Sequence, residues 1–408
     1  MSERFDLRVA SIAAGGDGVG RHEGMVVFVP RTAPGDVVHV EAVREGRLMR
    51  GRVLELRTPG AARIEPPCRH FTHDRCGGCQ LQHLSYEGQV AAKVSVIHDS
   101  LTRIGGLTLS VPEVEASAAQ WRYRTKLTLA LRMRGGNWIA GLRPFDAPGE
   151  VFPVDDCRIT NDAVLAHWRD VMRHALMLPQ ARELRASVRL LEDGFALVVE
   201  GGRAWTTHAE LFAAVPAMVE LWWQPDGKRR RRVQARPGTR AGASFVQVNA
   251  QVAARVRDWV LDIVKRYAPK TAIDAYSGTG NIAAGLASLG ASVTTIEIDR
   301  EAALVCAGRL PAGSRSVAGP VEKLLGALLP ADLVVVNPPR AGLDAAIPAM
   351  LQAKSREPKA VIYVSCNPAT LARDVKRMNR YAVRSLRGFD MFPQTAHIET
   401  VCELVPAA

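Results

Sequence analysis

Asp274-Ala-Tyr-Ser-Gly-Thr-Gly280 is the stretch that decides the fold. It ends an apolar run and leads into a helical pattern beginning at Asn281. Its glycines allow a tight turn and close approach of the backbone to a ligand. Ligands in open α/β sheets sit at that carboxyl edge of the strands. The third glycine of a dinucleotide fingerprint is absent, since position 283 is alanine. Working outward, a helix is expected over 249–266, and TTIEID (294–299), DLVVVNPP (332–339) and AVIYVSC (360–366) each follow a helical stretch. Apolar strands alternating with helices predict a parallel, doubly wound sheet. Glu297 ends the second strand, where a carboxylate can accept both hydroxyls of a ribose. A glycine loop alone says little; loop, acidic residue and strand context together point to a nucleoside cofactor.

Two further motifs fall at the same sheet edge. Asn337-Pro-Pro-Arg340 ends the fourth apolar strand, and its two prolines fix a rigid bend that turns Asn337 into the cleft. Ser365-Cys366-Asn367-Pro368 presents a thiol just beyond a buried strand. A cysteine after an apolar strand is ordinarily core, but its place at the ligand edge favours a nucleophile. Carbon 5 of uracil is a poor nucleophile until a thiolate adds at carbon 6 and makes the ring an enolate.

The rest of the chain divides into two other regions. Residues 5–57 alternate apolar runs with glycine turns, as expected of a small β-barrel, with Arg44, Arg47, Arg50 and Arg52 gathered on its last hairpin. Such barrels hold RNA or serve only as packing partners. A helix is expected over about 87–104, and 121–205 reads as mixed, mostly antiparallel strands. The expected domains are 1–60, 61–240 and 241–408, with helix 87–104 free to pack on the last of them.

The chain has 408 residues, 47% hydrophobic and 23% charged, which suits several folded domains. Lysine and arginine outnumber aspartate and glutamate 53 to 41, for a net charge of +12. That balance suits a polyanionic partner, or only an arginine-rich proteome. The run KRRRR (228–232) is a solvated loop or a phosphate grip. MSERFDLRVA lacks the apolar core of a secretion signal and no stretch reaches the length of a membrane span, so a cytoplasmic protein is expected.

Seven cysteines, at 68, 76, 79, 157, 306, 366 and 402, are an odd number for disulfides. Cys68-x7-Cys76-x2-Cys79, with Cys157 as a fourth ligand, suits zinc or an iron–sulfur cluster. His70, His73 and His83 keep a mixed Cys/His zinc site open.

Together these residues resemble the TrmA/RumA family of RNA uracil-5-methyltransferases, most closely its 23S ribosomal RNA branch. The barrel looks like a TRAM domain, CGGCQLQH (76–83) like the family's cluster segment, and WRYRTK (121–126) like its central signature. FVQVNAQV (245–252), DAYSGTGN (274–281), NPPRAGLD (337–344), VSCNPATLARD (364–374) and FPQTAHIETV (392–401) match in order. The resemblance implies a Rossmann-like class I methyltransferase domain preceded by an OB-like barrel and a central β-rich domain. It implies S-adenosylmethionine contacts from Gln247, Tyr276, Glu297 and Asn337, a nucleophile in Cys366 and a base in Glu399. It also implies a [4Fe-4S] cluster on Cys68, Cys76, Cys79 and Cys157, an RNA partner, and no membrane or obligate protein partner. The chain departs from the family in carrying Asn337 where aspartate is usual, and in a Cys68–Cys76 gap two residues longer. Three other readings stay on the table: a transfer RNA substrate, an amino methyltransferase, and a binding protein with a dead catalytic domain. Amino methyltransferases place an aromatic residue after Asn-Pro-Pro, where this chain has Arg340.

Overall fold

The structure is a computed structural model and describes residues 2–238 and 247–407. Phe245 and Val246 of the FVQVNAQV motif lie outside them, while Gln247 is inside. The described residues form three sheets.

The first sheet has six strands in the order Ser2–Arg8, Val37–Glu45, Leu48–Thr58, Met25–Val29, Gly18–His22, Ser11–Ile12. Its outer strands, Ser2–Arg8 and Ser11–Ile12, are neighbours in the chain, and the Ala10 amide donates to the Val19 carbonyl at 2.7 Å. The two edge strands are thus joined by the two-residue link Val9–Ala10. Alternation sends Leu7, Val27, Val29, Val38, Val40 and Met49 into its centre. Arg44, Arg47, Arg50 and Arg52 point to solvent, with Arg52 on Glu41 and Arg50 on Glu45 and Asp17. Exposed pairs like these are weak and leave the guanidiniums available.

The second sheet runs Phe152–Pro153, Asn137–Leu142, Lys126–Arg134, Glu183–Leu191, Gly194–Glu200, Met218–Gln224, Arg231–Ala235. All its pairings are antiparallel except Gly194–Glu200 with Met218–Gln224. Leu127, Leu129, Val188, Leu197 and Leu221 face Asp162–Arg173 and His208–Ala214, two amphipathic helices that bury Trp168 and Leu211. Part of the run at 228–232, expected as a loop, is strand: Arg231–Ala235 pairs along Met218–Gln224, with Arg232 on buried Glu220.

The third sheet has eight strands in the order Arg315–Ala318, Ser292–Glu297, Thr271–Ala275, Leu333–Val336, Ala360–Ser365, Glu399–Pro406, Tyr381–Phe389, Glu113–Glu115. The first five run parallel, and Glu399–Pro406 pairs antiparallel with Ala360–Ser365. Successive residues face opposite cores. Ile273, Val334 and Val361 lie in one with helices Val321–Leu328 and Pro368–Arg377. Ala272, Leu333 and Ile362 lie in the other with Ala250–Lys265 and Asn281–Ser288. Tyr86–Asp99 is a helix that continues as a π-helical turn over Ser100–Ile104, and it buries Ile97 and Leu101 in the first of these cores. Strand Glu113–Glu115 extends the sheet beside Tyr381–Phe389. Residues 86–115 thus belong to the third core although they precede the second sheet in sequence.

Candidate active site

Strand register brings the thiol and the carboxylate together. Ser365 pairs with Thr400 as the last pair of the antiparallel ladder, and Cys366 and Glu399 are the next residues outward on the two sides. The Thr400 hydroxyl donates to the Ser365 carbonyl at 3.0 Å and locks that end of the ladder. Asn367 caps helix Pro368–Arg377, its side-chain oxygen accepting from the Ala369 amide at 3.1 Å. Cys366 therefore stands at the positive end of a ten-residue helix, where a thiolate is favoured. Asn367 also donates to the Arg340 carbonyl at 3.2 Å, tying the Asn337–Arg340 bend to the cysteine turn.

Three charged groups set the electrostatics. Burial raises the Cys366 thiol pKa, the Glu399 charge raises it further, and Arg340 pulls it down by charge and hydrogen bonding. Burial pushes Glu399 up to about 8, again opposed by Arg340. Arg340 is itself exposed, on the rim between the two. The Glu399 charge disfavours the Cys366 thiolate while one guanidinium favours the ionised form of both, so a thiolate beside a protonated carboxyl is an accessible arrangement. His397 sits on the loop ahead of the Glu399 strand, so strand alternation does not decide where it points. It is half-buried, and burial with Arg340, Lys93 and Arg124 holds its pKa down near 4, leaving a neutral imidazole.

The glycine loop lies at the neighbouring strand ends. Tyr276 takes a left-handed φ of 63°, with Gly278 at 55° and Gly280 at 82°. A side chain at Gly280 would meet Cys306 Sγ at 2.5 Å, so the third core presses directly on this turn. Glu297 is gripped by the Gly278 amide and the Asp299 amide, both at 2.8 Å. Two backbone bonds leave a carboxylate with unused lone pairs for two hydroxyls. Beside it Ile298 is 70% exposed, an apolar surface suited to the face of a flat base. Asp274 is fully buried beneath the loop, and its burial together with the Glu297 charge pushes its pKa up to about 7 against the Ala283 amide. Asn337 is half-buried at the end of Leu333–Val336, its amide on the Ala275 carbonyl at 3.2 Å. Gln247 is half-buried two residues ahead of Asn249, which caps Ala250–Lys265.

The four other cysteines form a separate centre. Cys68, Cys76, Cys79 and Cys157 line one cavity of about 170 Å³, and none is in a disulfide. Among the described residues no three Cys, His, Asp or Glu side chains close on a single metal ion. The Gly78 amide donates to Cys76 Sγ at 3.4 Å, and burial with the neighbouring cysteines pushes that thiol up to about 11. Four cysteine thiols lining one hollow are a soft donor set. The nearby histidines turn elsewhere: His83 to the Thr32 carbonyl at 3.1 Å, His70 to Asp74 and Asp155, and His73 to solvent. Both ring nitrogens of His70 are taken by those aspartates, although the residue lines the same cavity as the four cysteines.

Two further residues at this site had weaker signals in the sequence. Arg340 was read only as a non-aromatic residue, though its place after two prolines set it facing the cysteine turn. Ile298 carried a signal as an apolar residue between Glu297 and Asp299.

Residues 328–405, which hold Asn337, Cys366 and Glu399, match the family model described as tRNA (Uracil-5-)-methyltransferase. Uncharacterized RNA methyltransferase pc0248 of Protochlamydia amoebophila is 30% identical to this chain, over 97% of it and 96% of that protein. Uncharacterized RNA methyltransferase BH0687 of Halalkalibacterium halodurans is 29% identical, over 98% and 96%. The solved structure of Pyrococcus abyssi tRNA (uracil-54, C5)-methyltransferase in complex with S-adenosyl-L-homocysteine is 22% identical. It superposes with a TM-score of 0.72 over 99% of this chain and 100% of that one, a likeness of fold. With whole-length relatives of this kind, and the uracil-5 model lying over the strands that carry the thiol and the carboxylate, the chain belongs to the TrmA/RumA family of RNA methyltransferases.

Proposed function

We propose that this protein methylates carbon 5 of a uridine in RNA, and that Cys366 and Glu399 carry the chemistry. The observation that supports this above the others is their position just beyond the last pair of one ladder, where both feel the charge of Arg340. The Cys366 thiolate, favoured by Arg340 and the helix end, adds its electron pair to carbon 6 and makes carbon 5 nucleophilic. S-adenosylmethionine, when bound, supplies the methyl group. Glu399 as carboxylate then takes the carbon-5 proton; that C–H pair re-forms the double bond, and the carbon–sulfur bond leaves with its electrons on Cys366. Tyr276, Glu297, Asn337 and Gln247 would hold the donor, with Glu297 accepting from its ribose hydroxyls and Ile298 offering an apolar face to its adenine. A neutral His397 near pH 7 suits a wall of the pocket better than a base.

The domains are 1–60, 61–240 and 241–408, with 86–115 contributed to the last. The first sheet is read as an OB-like TRAM barrel for RNA. Cys68, Cys76, Cys79 and Cys157 would hold a [4Fe-4S] cluster. The barrel and cysteine centre favour 23S ribosomal RNA as the substrate and the cytoplasm as the place of action. Transfer RNA is the second reading, favoured by the substrate of the Pyrococcus abyssi fold neighbour. RNA carrying 5-fluorouridine should become methylated and stay attached to the wild type, and no adduct should form with Cys366→Ala. An adduct with that variant moves the nucleophile elsewhere. Mapping 5-methyluridine in ribosomal and transfer RNA from a deletion strain separates the two substrates.

A further inference from the structure

The segment Phe392–His397 that delivers Glu399 has almost no regular structure of its own, yet four of its six residues are hydrogen-bonded from distant parts of the chain. Gln394, 2% exposed, lies in the left-handed region with φ 70°. A non-glycine residue keeps such a conformation only where its surroundings over-determine it. Its amide donates to Gln89 Oε1 at 2.9 Å, and its side-chain oxygen accepts from Gln89 Nε2 at 2.9 Å. Its carbonyl accepts from the amides of Gln80 at 3.1 Å and Leu81 at 3.0 Å. Gln80 Oε1 accepts from the Ala396 amide at 3.3 Å, one residue before His397. The Tyr123 hydroxyl donates to the Pro393 carbonyl at 2.9 Å, and buried Lys93 donates to the Phe392 carbonyl at 3.1 Å. Gln89 is 1% exposed, so the amide pair it shares with Gln394 is shielded from competing water.

We propose that Gln394, clamped by Gln80 and Gln89, is a positioning residue for the base, and that Gln80 makes the placement of Glu399 depend on the cysteine segment. The geometry is direct: Gln80 follows Cys79, one wall of the cysteine-lined cavity, and its backbone and side chain both end on the strap that leads into the Glu399 strand. Among the described residues no hydrogen bond joins Cys366 to this strap: its turn is capped by Asn367 and the helix that follows, and the Thr400 bond to Ser365 lies beyond Glu399 on the ladder. Loosening the clamp should therefore spare thiolate attack and slow proton removal. This division of effects goes beyond the uracil-5 reading but rests on it.

The test uses the full-length protein with RNA substrates carrying uridine or 5-fluorouridine. Gln89→Met keeps the volume and removes both side-chain bonds to Gln394, and Gln80→Met removes the bond to Ala396. Both variants should form the 5-fluorouridine adduct within about twofold of wild type. On uridine RNA they should release product about ten- to a hundred-fold more slowly, the scale expected when a catalytic group is misplaced by about an ångström. The methylated covalent complex should accumulate, and Cys79→Ser should show the same stall. Release at the wild-type rate in both glutamine variants overturns the proposal, even if their melting temperatures fall. Equal loss of adduct formation and release overturns it too, since the clamp would then be scaffold only. If the wild type itself forms no adduct, the uracil-5 reading fails first and takes this one with it.

Discussion

Replacing Glu399 by glutamine isolates the cost of holding a carboxylate inside the protein. Glu399 is 2% exposed, and burial lifts its pKa from 4.5 to about 8 even with Arg340 opposing. Between those values the folded protein keeps a proton that the unfolded chain has released. Folding then binds a proton, so stability falls as pH rises through that window. The shift is 8 − 4.5 = 3.5 pH units, and at about 1.4 kcal/mol per unit it amounts to roughly 5 kcal/mol by pH 8. Glutamine is neutral throughout. Glu399→Gln should match the wild type near pH 4.5 and gain on it up to pH 8, ending on the order of 10 °C higher in Tm for a domain of this size. Thermal unfolding followed by circular dichroism between pH 5 and 9, without RNA or donor, measures the gap. The same variant mixed with uridine RNA should attack and methylate, then stall as a covalent complex. Parallel pH profiles, or a gap that opens towards low pH, would refute the buried-carboxylate account. Normal release would remove Glu399 from the mechanism.

Arg340→Gln should slow 5-fluorouridine adduct formation about tenfold and move its pH dependence upward, because the thiolate loses a charged hydrogen-bond partner worth about 1.5–3 kcal/mol; an unchanged pH–rate curve argues against that role. Gly280→Ala drives a methyl group to 2.5 Å from Cys306 Sγ at φ 82°. Titration calorimetry should find S-adenosylmethionine binding lost, with about 1–3 kcal/mol of stability, and intact binding would mean the loop does not hold the donor. Protein purified without oxygen should be brown with about four iron atoms per chain, whereas colourless protein with stoichiometric zinc excludes the cluster. Deleting residues 1–58 should weaken RNA binding and flatten its salt dependence while donor affinity holds; an unaltered salt slope places the phosphate grip elsewhere.

The parallel sheet and its ligand edge were legible because they depend on local signals. Uninterrupted apolar runs, a glycine turn and proline bends mark strand ends whatever else the chain does. Cys366 and Glu399 could be named singly, but their closeness needed the ladder register, which no local pattern encodes. The run at 228–232 was misread in part because five basic residues look solvated. Arg232 is instead drawn into a strand by Glu220, a carboxylate with no exposed surface. Strand Glu113–Glu115 was invisible because three residues carry no periodicity, and only the uncovered edge of Tyr381–Phe389 makes them a strand. Gln394 could not be singled out, since its conformation is imposed by Gln80 and Gln89 more than three hundred residues earlier.

The excursion of the chain between Glu115 and Asn249 has a consequence for how the molecule is made and cut. Helix Tyr86–Asp99 leaves the ribosome long before Asp390, the buried partner of Lys93, which lies 297 residues further on. Until then its apolar stripe has nowhere to go, so the catalytic layer closes last and slowly. A fragment beginning at residue 241 would lack that helix and the edge strand, and should aggregate. The two ends of the excursion almost touch: Asn249 donates to the Ser117 hydroxyl at 3.3 Å, and Arg255 pairs with Glu115 at 2.7 Å. Splicing residues 86–117 to 247–407 through a short glycine linker should therefore yield a soluble, donor-binding minimal domain with the whole central sheet excised.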